Sequence, residues 1–221
     1  MKITMLLLLV MSFAGCGHFR GLTSGVNGSG VIKTEKRAVS SFTSIDASGA
    51  FDVEVVCQKE PGLELEGDDN LLPLIKTEVR GNTLYLSPSS PFSVKRSIRV
   101  RISVPNLESI SSSGAVSFRI VDVKNSKMKI AASGASSFDI AGETTVLDVD
   151  LSGATKIDAE NLRAQRVKIS MSGAGKAIVY ASEELDADVS GAGNVTYAGN
   201  PRTVNKKVSG VGSVTKKDTA A

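Results

Sequence analysis

Apolar and polar residues alternate along most of this chain in short runs that recur at a regular interval. Ser-Gly followed by Ala or Val marks each recurrence, and the serines that begin these triplets are Ser48, Ser113, Ser133, Ser152, Ser172, Ser190 and Ser209. After a first interval of 65 residues, the spacing is 20, 19, 20, 18 and 19 residues. A period in this range predicts a repeat protein in which each unit forms one coil.

The residues before each triplet predict a β-strand with one buried face. Apolar residues stand five, three and one positions before the serine, which is the two-residue period of a strand. They are Met128, Leu147, Val167, Leu185 and Val204 at the first position, Ile110, Ile130, Val149, Ile169 and Ala187 at the second, and Ala132, Leu151, Met171, Val189 and Val208 at the third.

After each triplet the alternation resumes in a different phase. The apolar pairs five and seven positions after the serine are Phe118 and Ile120, Phe138 and Ile140, Ile157 and Ala159, Ala177 and Val179, and Val195 and Tyr197. A phase shift at a glycine indicates a bend, because glycine adopts backbone angles that other residues resist. The triplets are therefore predicted structural turns, with glycines at Gly49, Gly114, Gly134, Gly153, Gly173, Gly191 and Gly210.

These patterns predict an all-β fold, a single-stranded β-helix or β-solenoid with rungs of about 19 residues. A β-sandwich of regular hairpins is the alternative. Identical triplets at one phase favour the solenoid, since stacked coils repeat in register. Four positions before the serine, Lys129, Asp148, Lys168 and Asp186 alternate in charge. Coils about 4.8 Å apart would bring these four into one ladder of opposite charges.

The region before the regular array, residues 31–104, is also β-rich. Ser48-Gly49-Ala50 has the pattern of one more coil, and an insertion explains the long first interval. The insertion contains a strand and turn (LELEGDD), a short helical turn (NLLPLI) that Asp68 and Asp69 begin, a hairpin turning near Gly81-Asn82, and an alternating strand (SIRVRISVP). We expect this part to be continuous with the repeat solenoid of residues 105–215, which a tail at 216–221 follows.

The N-terminus, MKITMLLLLVMSFAGC, has the layout of a secretory signal over residues 1–15. Its apolar run is shorter than the roughly 20 residues that span a bilayer. Phe13-Ala14-Gly15-Cys16 resembles a bacterial lipobox, although leucine is usual in place of Phe13, and this predicts a lipid-modified Cys16. Ordinary cleavage near Gly15, leaving Cys16 as a free thiol, is the alternative. The Gly- and Ser-rich residues 16–30 are a predicted flexible tether between membrane and domain.

Composition and charge narrow the candidate chemistry. Without the signal, 25 basic residues stand against 23 acidic ones, and this near-neutral balance gives no reason to expect a nucleic-acid partner. His18, the only histidine, stands two residues after the expected lipid anchor, which argues against Ser-His-Asp catalysis and histidine-rich metal sites, and no phosphate loop or calcium-binding solenoid motif occurs. We therefore expect no cofactor, no metal and no catalytic residue. Cys57 follows an apolar strand, where a packed, inert thiol is expected.

The last repeat is degraded, because Lys206 occupies a position that is apolar in earlier copies. A charge at this point stops edge-to-edge growth of an array. The surrounding basic cluster is better interpreted as a cap than as a ligand site; it consists of Arg202, Lys206, Lys207, Lys216 and Lys217.

Several blocks in fixed order resemble the family described as putative auto-transporter adhesin, head GIN domain. They are GSGVIKTEKRAVSSFTSIDASGAFDVEV, DDNLLPLIKTEVRGNTLYLS, VPNLESISSSGA and the later Ser-Gly-Ala copies, together covering about residues 28–215. The resemblance implies a β-solenoid-like envelope protein of Gram-negative bacteria, often with a lipoprotein signal, and it supplies no catalytic residues. Cys57 departs from the polar residue expected there.

Two functions follow as hypotheses. The first is a non-enzymatic outer-membrane lipoprotein of the cell envelope whose solenoid displays a binding surface for a glycan or a surface protein. The second is a carbohydrate-active β-helix enzyme, a polysaccharide lyase or hydrolase, which needs two carboxylates about 5 to 10 Å apart. Asp148 with Asp150 and Asp186 with Asp188 have suitable spacing. Both pairs face outward, and the first Asp of each has a lysine neighbour in the expected ladder, so a solvated surface is the better interpretation.

Overall fold

Parallel pairing between consecutive coils dominates the architecture of this chain. The structure is a computed structural model and describes residues 25–217. Its strands are β1 (Val26–Asn27), β2 (Ile32–Arg37), β3 (Ser44–Ala47), β4 (Ala50–Cys57), β5 (Gly62–Asp68), β6 (Ile75–Arg80), β7 (Thr83–Pro88), β8 (Phe92–Ser93), β9 (Ile98–Val104), β10 (Ser109–Ser112), β11 (Ala115–Gly134), β12 (Ser137–Gly153), β13 (Lys156–Met171), β14 (Lys176–Gly191), β15 (Asn194–Ala198), β16 (Thr203–Gly210) and β17 (Ser213–Lys216). One 3₁₀ turn, Leu72–Leu74, precedes β6.

The triplets of successive coils lie directly above one another. Ser133 pairs with Ser152 and Gly134 with Gly153 in the parallel ladder between β11 and β12. The same in-register stacking continues through β13, β14 and β16. The β-solenoid prediction is confirmed. A sandwich of hairpins would require antiparallel neighbours throughout the array.

The core is a column of aliphatic side chains inside the coils. Leu147, Val149 and Leu151, which the period placed inward, are at most 4% exposed. The last coil is the exception to the predicted burial of these apolar positions: Val208 is 44% exposed and Val204 is half-buried. The exposure of these two side chains follows from their position, because among the described strands β16 pairs only with β14 and no further strand covers its other side.

The N-terminal part begins the same two faces of the solenoid. β3 and β4 pair in parallel with β10 and β11, so Ser48-Gly49-Ala50 is one more coil, as the pattern predicted. The hairpin of β6 and β7 turns at Gly81 and extends one face, while β9, β5 and β2 extend the other. Arg37 joins the two faces at this end, since its guanidinium donates to the carbonyls of Leu72 and Ile75.

Two predictions about this end of the molecule need correction. Asp68 and Asp69 do not cap the helical turn, whose N-cap is Leu71 without any side-chain bond. The buried Asp68 carboxylate instead accepts from the Gly30 amide, and the Asp69 carboxylate accepts from the Ser29 hydroxyl. They therefore hold a segment that is nearly 40 residues distant in sequence.

The predicted tether of residues 16–30 is too long at its C-terminal end. Val26 and Asn27 form β1, which pairs in parallel with β8. The Asn27 carbonyl accepts from the Asn70 side-chain amide at 2.9 Å. Residues 25–30 are therefore docked on the domain. Residues 1–24, which include the expected signal, Cys16 and His18, lie outside the described residues.

The triplet glycines are required by the distance between coils as well as by the bend. Gly153 has φ +130°, and a Cβ at this position would lie 2.5 Å from the Gly134 carbonyl oxygen. Gly134 stands in the same relation to Gly114 one coil earlier. Each corner thus packs backbone against backbone, and no side chain fits between the coils.

We predict that Gly153→Ala destabilises the fold by about 3 kcal/mol or more, because it adds backbone strain to a steric clash. Urea denaturation followed by circular dichroism measures the change. Gly81→Ala is the matched control, since Gly81 also has positive φ, +57°, but a Cβ there meets no atom within 4 Å. We expect this control to cost about 1 kcal/mol. Equal losses in the two variants would contradict the close-packing explanation.

Candidate functional site

An open groove runs along the solenoid beside the Ser-Gly-Ala corner. We call it the corner groove; its volume is about 520 Å³ and it crosses strands from β3 to β14. Its polar lining residues are Ser111, Ser112, Ser113, Ser133, Ser152, Ser170, Ser172 and Ser190, together with Asp46, Asp150 and Asp188; the Ser112 hydroxyl is buried against that of Ser136. Ala131, Ala132, Leu151 and Met171 provide the apolar part.

The carboxylates belong to one column that stands two positions before the triplet serines. In order along the axis, this column contains Asp46, Ser111, Ala131, Asp150, Ser170 and Asp188, each paired in register with the next. Small residues separate the aspartates, and they leave open space between neighbouring carboxylates. At about 4.8 Å per coil, Asp150 and Asp188 are roughly 10 Å apart.

Two of the triplet serines point their hydroxyls back toward the preceding coil. The Ser152 hydroxyl donates to the Ala132 carbonyl and the Ser190 hydroxyl donates to the Met171 carbonyl, both at 3.4 Å. A hydroxyl retains two acceptor lone pairs after donating its hydrogen. These serines therefore offer acceptors along the groove.

The charge ladder has the predicted register but different ion pairs. Lys129, Asp148, Lys168 and Asp186 are in-register neighbours in successive coils. The ion pairs, however, involve the aspartates two positions further on: Lys129 Nζ lies 3.7 Å from Asp150 Oδ2, and Lys207 Nζ lies 3.0 Å from Asp188 Oδ2. Lys129 reaches diagonally toward the groove, whereas Lys207 is the in-register neighbour of Asp188, and together they offset part of the negative charge of the groove.

Asp150 and Asp188 lack the environment of a glycoside-cleaving pair. Such a pair needs one carboxyl that burial keeps protonated, ready to act as a general acid. The Asp150 and Asp188 side chains are 51% and 45% exposed, and each contacts a lysine. The arrangement suits hydrogen bonding to a ligand better than acid catalysis.

Cys57 lies in the core at the end of β4, away from the corner groove. It is 1% exposed. Burial, reinforced by the negative charge of Asp122, raises the pKa of the Cys57 thiol to about 11. A neutral, packed thiol is a poor nucleophile. The structure thus favours the inert role that the sequence indicated.

The basic residues of the last coil mostly engage the protein itself. Lys206, which the repeat placed inward, is exposed and lies across the end of the core: its Nζ lies 5.0 Å from the centre of the Tyr197 ring and donates to the Val214 carbonyl at 3.1 Å. Lys217 Nζ donates to Glu160, and Lys216 Nζ to Asn200. These contacts support the interpretation of this cluster as a cap.

The described residues contain no cluster of three or more metal-ligating side chains. Between residues 25 and 217 there is also no helix long and apolar enough to cross a membrane.

A family model described as putative auto-transporter adhesin, head GIN domain, matches residues 41–201. The chain belongs to this family. A solved adhesin-family structure from Bacteroides fragilis NCTC 9343, described as a putative adhesin, is 26% identical with a TM-score of 0.73; the match covers 87% of this chain and all of that one. No curated protein matches the chain.

More distant members of the same fold come from Parabacteroides. A putative adhesin from P. merdae ATCC 43184 is 20% identical with a TM-score of 0.54, and a protein from P. distasonis ATCC 8503 described as a putative lipid binding protein is 22% identical with a TM-score of 0.55. Each match covers 88% of this chain and all of the other. At these identities the similarity establishes the fold alone.

We predict that Cys57 does not react with a thiol reagent such as Ellman's reagent in the native protein at pH 8, and reacts at once in denaturant. With a pKa of about 11, only about one thiol in a thousand is ionised at this pH, and burial blocks access to it. Because the folded pKa is raised, the contribution of the thiol to stability is present at neutral pH and is lost as pH rises toward 11. Fast native labelling of a variant lacking Cys16 would contradict the packed position.

Proposed function

We propose that this family member is a non-enzymatic, lipid-anchored protein of the cell envelope, and that its corner groove binds a glycan. The observation that carries the proposal is the column of exposed hydroxyls and half-exposed carboxylates along the solenoid axis. The family description as an adhesin supports a binding role in the envelope.

A glycan suits the groove in chemistry and in shape. Sugar hydroxyls donate hydrogen bonds, and the carboxylates of Asp150 and Asp188 are strong acceptors. Ala131, which lies half-buried in the groove between the serines, offers an apolar contact for the C–H face of a sugar ring. An open groove along several coils accommodates a linear polymer rather than a small enclosed ligand.

The carbohydrate-active enzyme is not supported by any feature of the described residues. The two groove carboxylates nearest each other are both half-exposed and both paired with lysine. The structural neighbours are described as adhesins or as a lipid-binding protein. We therefore propose binding without turnover.

We predict that purified protein lacking residues 1–24 binds a subset of oligosaccharides on a glycan array. The double variant Asp150→Asn with Asp188→Asn should weaken this binding by about tenfold or more, because each substitution replaces a charged acceptor by a neutral amide. Affinity for the selected oligosaccharide is measured by isothermal titration calorimetry.

The double variant Asp148→Asn with Asp186→Asn is the matched control. It makes the same chemical change on the same strands, outside the groove lining, and should leave the affinity within about twofold. Equal losses in the two double variants would contradict a site in the corner groove. Binding of a protein ligand in place of any glycan would overturn the choice of ligand, and release of shortened oligosaccharide would overturn the non-enzymatic role.

The lipid anchor at Cys16 has its own test. We predict that mass spectrometry of protein expressed in a Gram-negative host finds an N-terminal peptide beginning at Cys16 with added acyl mass, and that Cys16→Ser releases the protein from membranes. The Cys57→Ser variant should remain membrane-bound. An unmodified Cys16 would contradict the anchor and would favour ordinary signal cleavage.

A further inference from the structure

A second groove lies on a different face of the solenoid. It crosses the middle of the long strands β11, β12, β13 and β14, close to the points where their pairing register shifts. We call it the arginine groove; its volume is about 480 Å³. One wall is a column of in-register residues, Lys124, Glu143, Arg163 and Tyr180, contributed by β11, β12, β13 and β14. Thr145 and Gln165 are among the uncharged residues that complete the lining.

Arg163 stacks on an aromatic ring and forms no ion pair with any residue that the structure describes. Its guanidinium carbon lies 4.3 Å from the centre of the Tyr180 ring, so the ring supports the planar group from one side. None of the ion pairs among residues 25–217 involves Arg163, although Glu143 is its neighbour in the preceding coil. The N–H groups at the edge of the guanidinium are thus available to a ligand.

The geometry of this arginine matches a carboxylate. A guanidinium presents parallel N–H donors that bind both oxygens of a carboxylate, and stacking on an aromatic ring reduces the entropy lost on binding. Lys124, two coils away at roughly 10 Å, adds a second positive charge. Like Arg163, it takes part in none of the ion pairs in the described part of the chain.

The two grooves differ in charge. The corner groove is lined by aspartates. The arginine groove is lined by two cations and the single carboxylate of Glu143, with Thr145 and Gln165 as neutral hydrogen-bonding groups. Two sites on one scaffold with opposite charge favour ligands of different chemistry.

We propose that the arginine groove binds the carboxylate of an acidic sugar, such as a uronic acid residue of a glycan, with Arg163 as the principal contact. The guanidinium binds the carboxylate, and Lys124 adds attraction at longer range. The Glu143 carboxylate accepts hydrogen bonds from sugar hydroxyls, and the Gln165 amide accepts or donates them. This site is independent of the proposed role of the corner groove.

Calorimetric titration of the purified full-length protein with a uronic acid oligosaccharide, its neutral counterpart of the same linkage, and inorganic phosphate tests the proposal. We expect the acidic oligosaccharide to bind, the neutral one to bind at least tenfold more weakly, and the difference to shrink as salt is raised. Equal binding of the acidic and neutral oligosaccharides would overturn the proposal. Binding of phosphate without the uronic acid oligosaccharide would also overturn it.

Variants locate the site. Arg163→Gln should lower the affinity for the acidic oligosaccharide by about tenfold or more, because a charge-assisted bidentate contact is lost. Arg163→Lys should recover only part of it, since lysine lacks the planar donor pair. Tyr180→Phe keeps the ring and should retain binding, whereas Tyr180→Ala should weaken it.

Arg119→Gln is the matched control, because Arg119 is an exposed arginine of β11 that lies 3.8 Å from Asp139 rather than in the groove. It should leave the affinity unchanged. Thermal unfolding of each variant separates a local effect from loss of fold. Binding that survives Arg163→Gln in a folded protein would overturn the assignment of the site. The Asp150→Asn with Asp188→Asn double variant should retain acidic-sugar binding, which keeps this test distinct from that of the corner groove.

Discussion

The in-register stacking of parallel coils is the constraint on which the other features of this protein depend. Each residue lies about 4.8 Å above its counterpart in the preceding coil, so every position of the repeat becomes a column along the axis. An inward column must be apolar in every coil. A corner column must be glycine wherever a Cβ would meet the carbonyl oxygen of the coil below, as Gly153 and Gly134 show.

The same stacking makes the two ends of the array unfavourable to leave uncovered, because an uncovered coil exposes both core side chains and unpaired backbone groups to solvent. At the N-terminal end, Arg37 bonds to backbone carbonyls of the other face, and the buried Asp68 holds the segment at residues 28–30. At the C-terminal end, Lys206 lies over Tyr197 and occupies a position that is apolar in earlier coils. Each end is closed by a charged side chain that makes specific contacts.

The two grooves follow from the columns as well. Where a column contains small residues, the neighbouring columns of larger side chains form the walls of a groove along the axis. The charged residues in these columns set the charge of the groove. The corner groove carries aspartates, two of which pair with lysines, while the arginine groove carries an arginine stacked on a tyrosine. One scaffold thereby presents two surfaces of different charge.

The sequence by itself determined the period, the inward positions, the corners and the hairpin at Gly81, because these depend on local alternation and on the backbone preferences of glycine. It also indicated the cap at Lys206, since a charge in an apolar column is visible from the repeat. Only the tertiary structure decided which aspartates meet the lysines, that Asp68 holds residues near Gly30, and that Arg163 lies on Tyr180. These contacts join residues about 20 to 40 positions apart. These contacts depend on the direction in which each side chain points and on the packing of segments that are distant in sequence. Neither property produces a periodic pattern in the sequence.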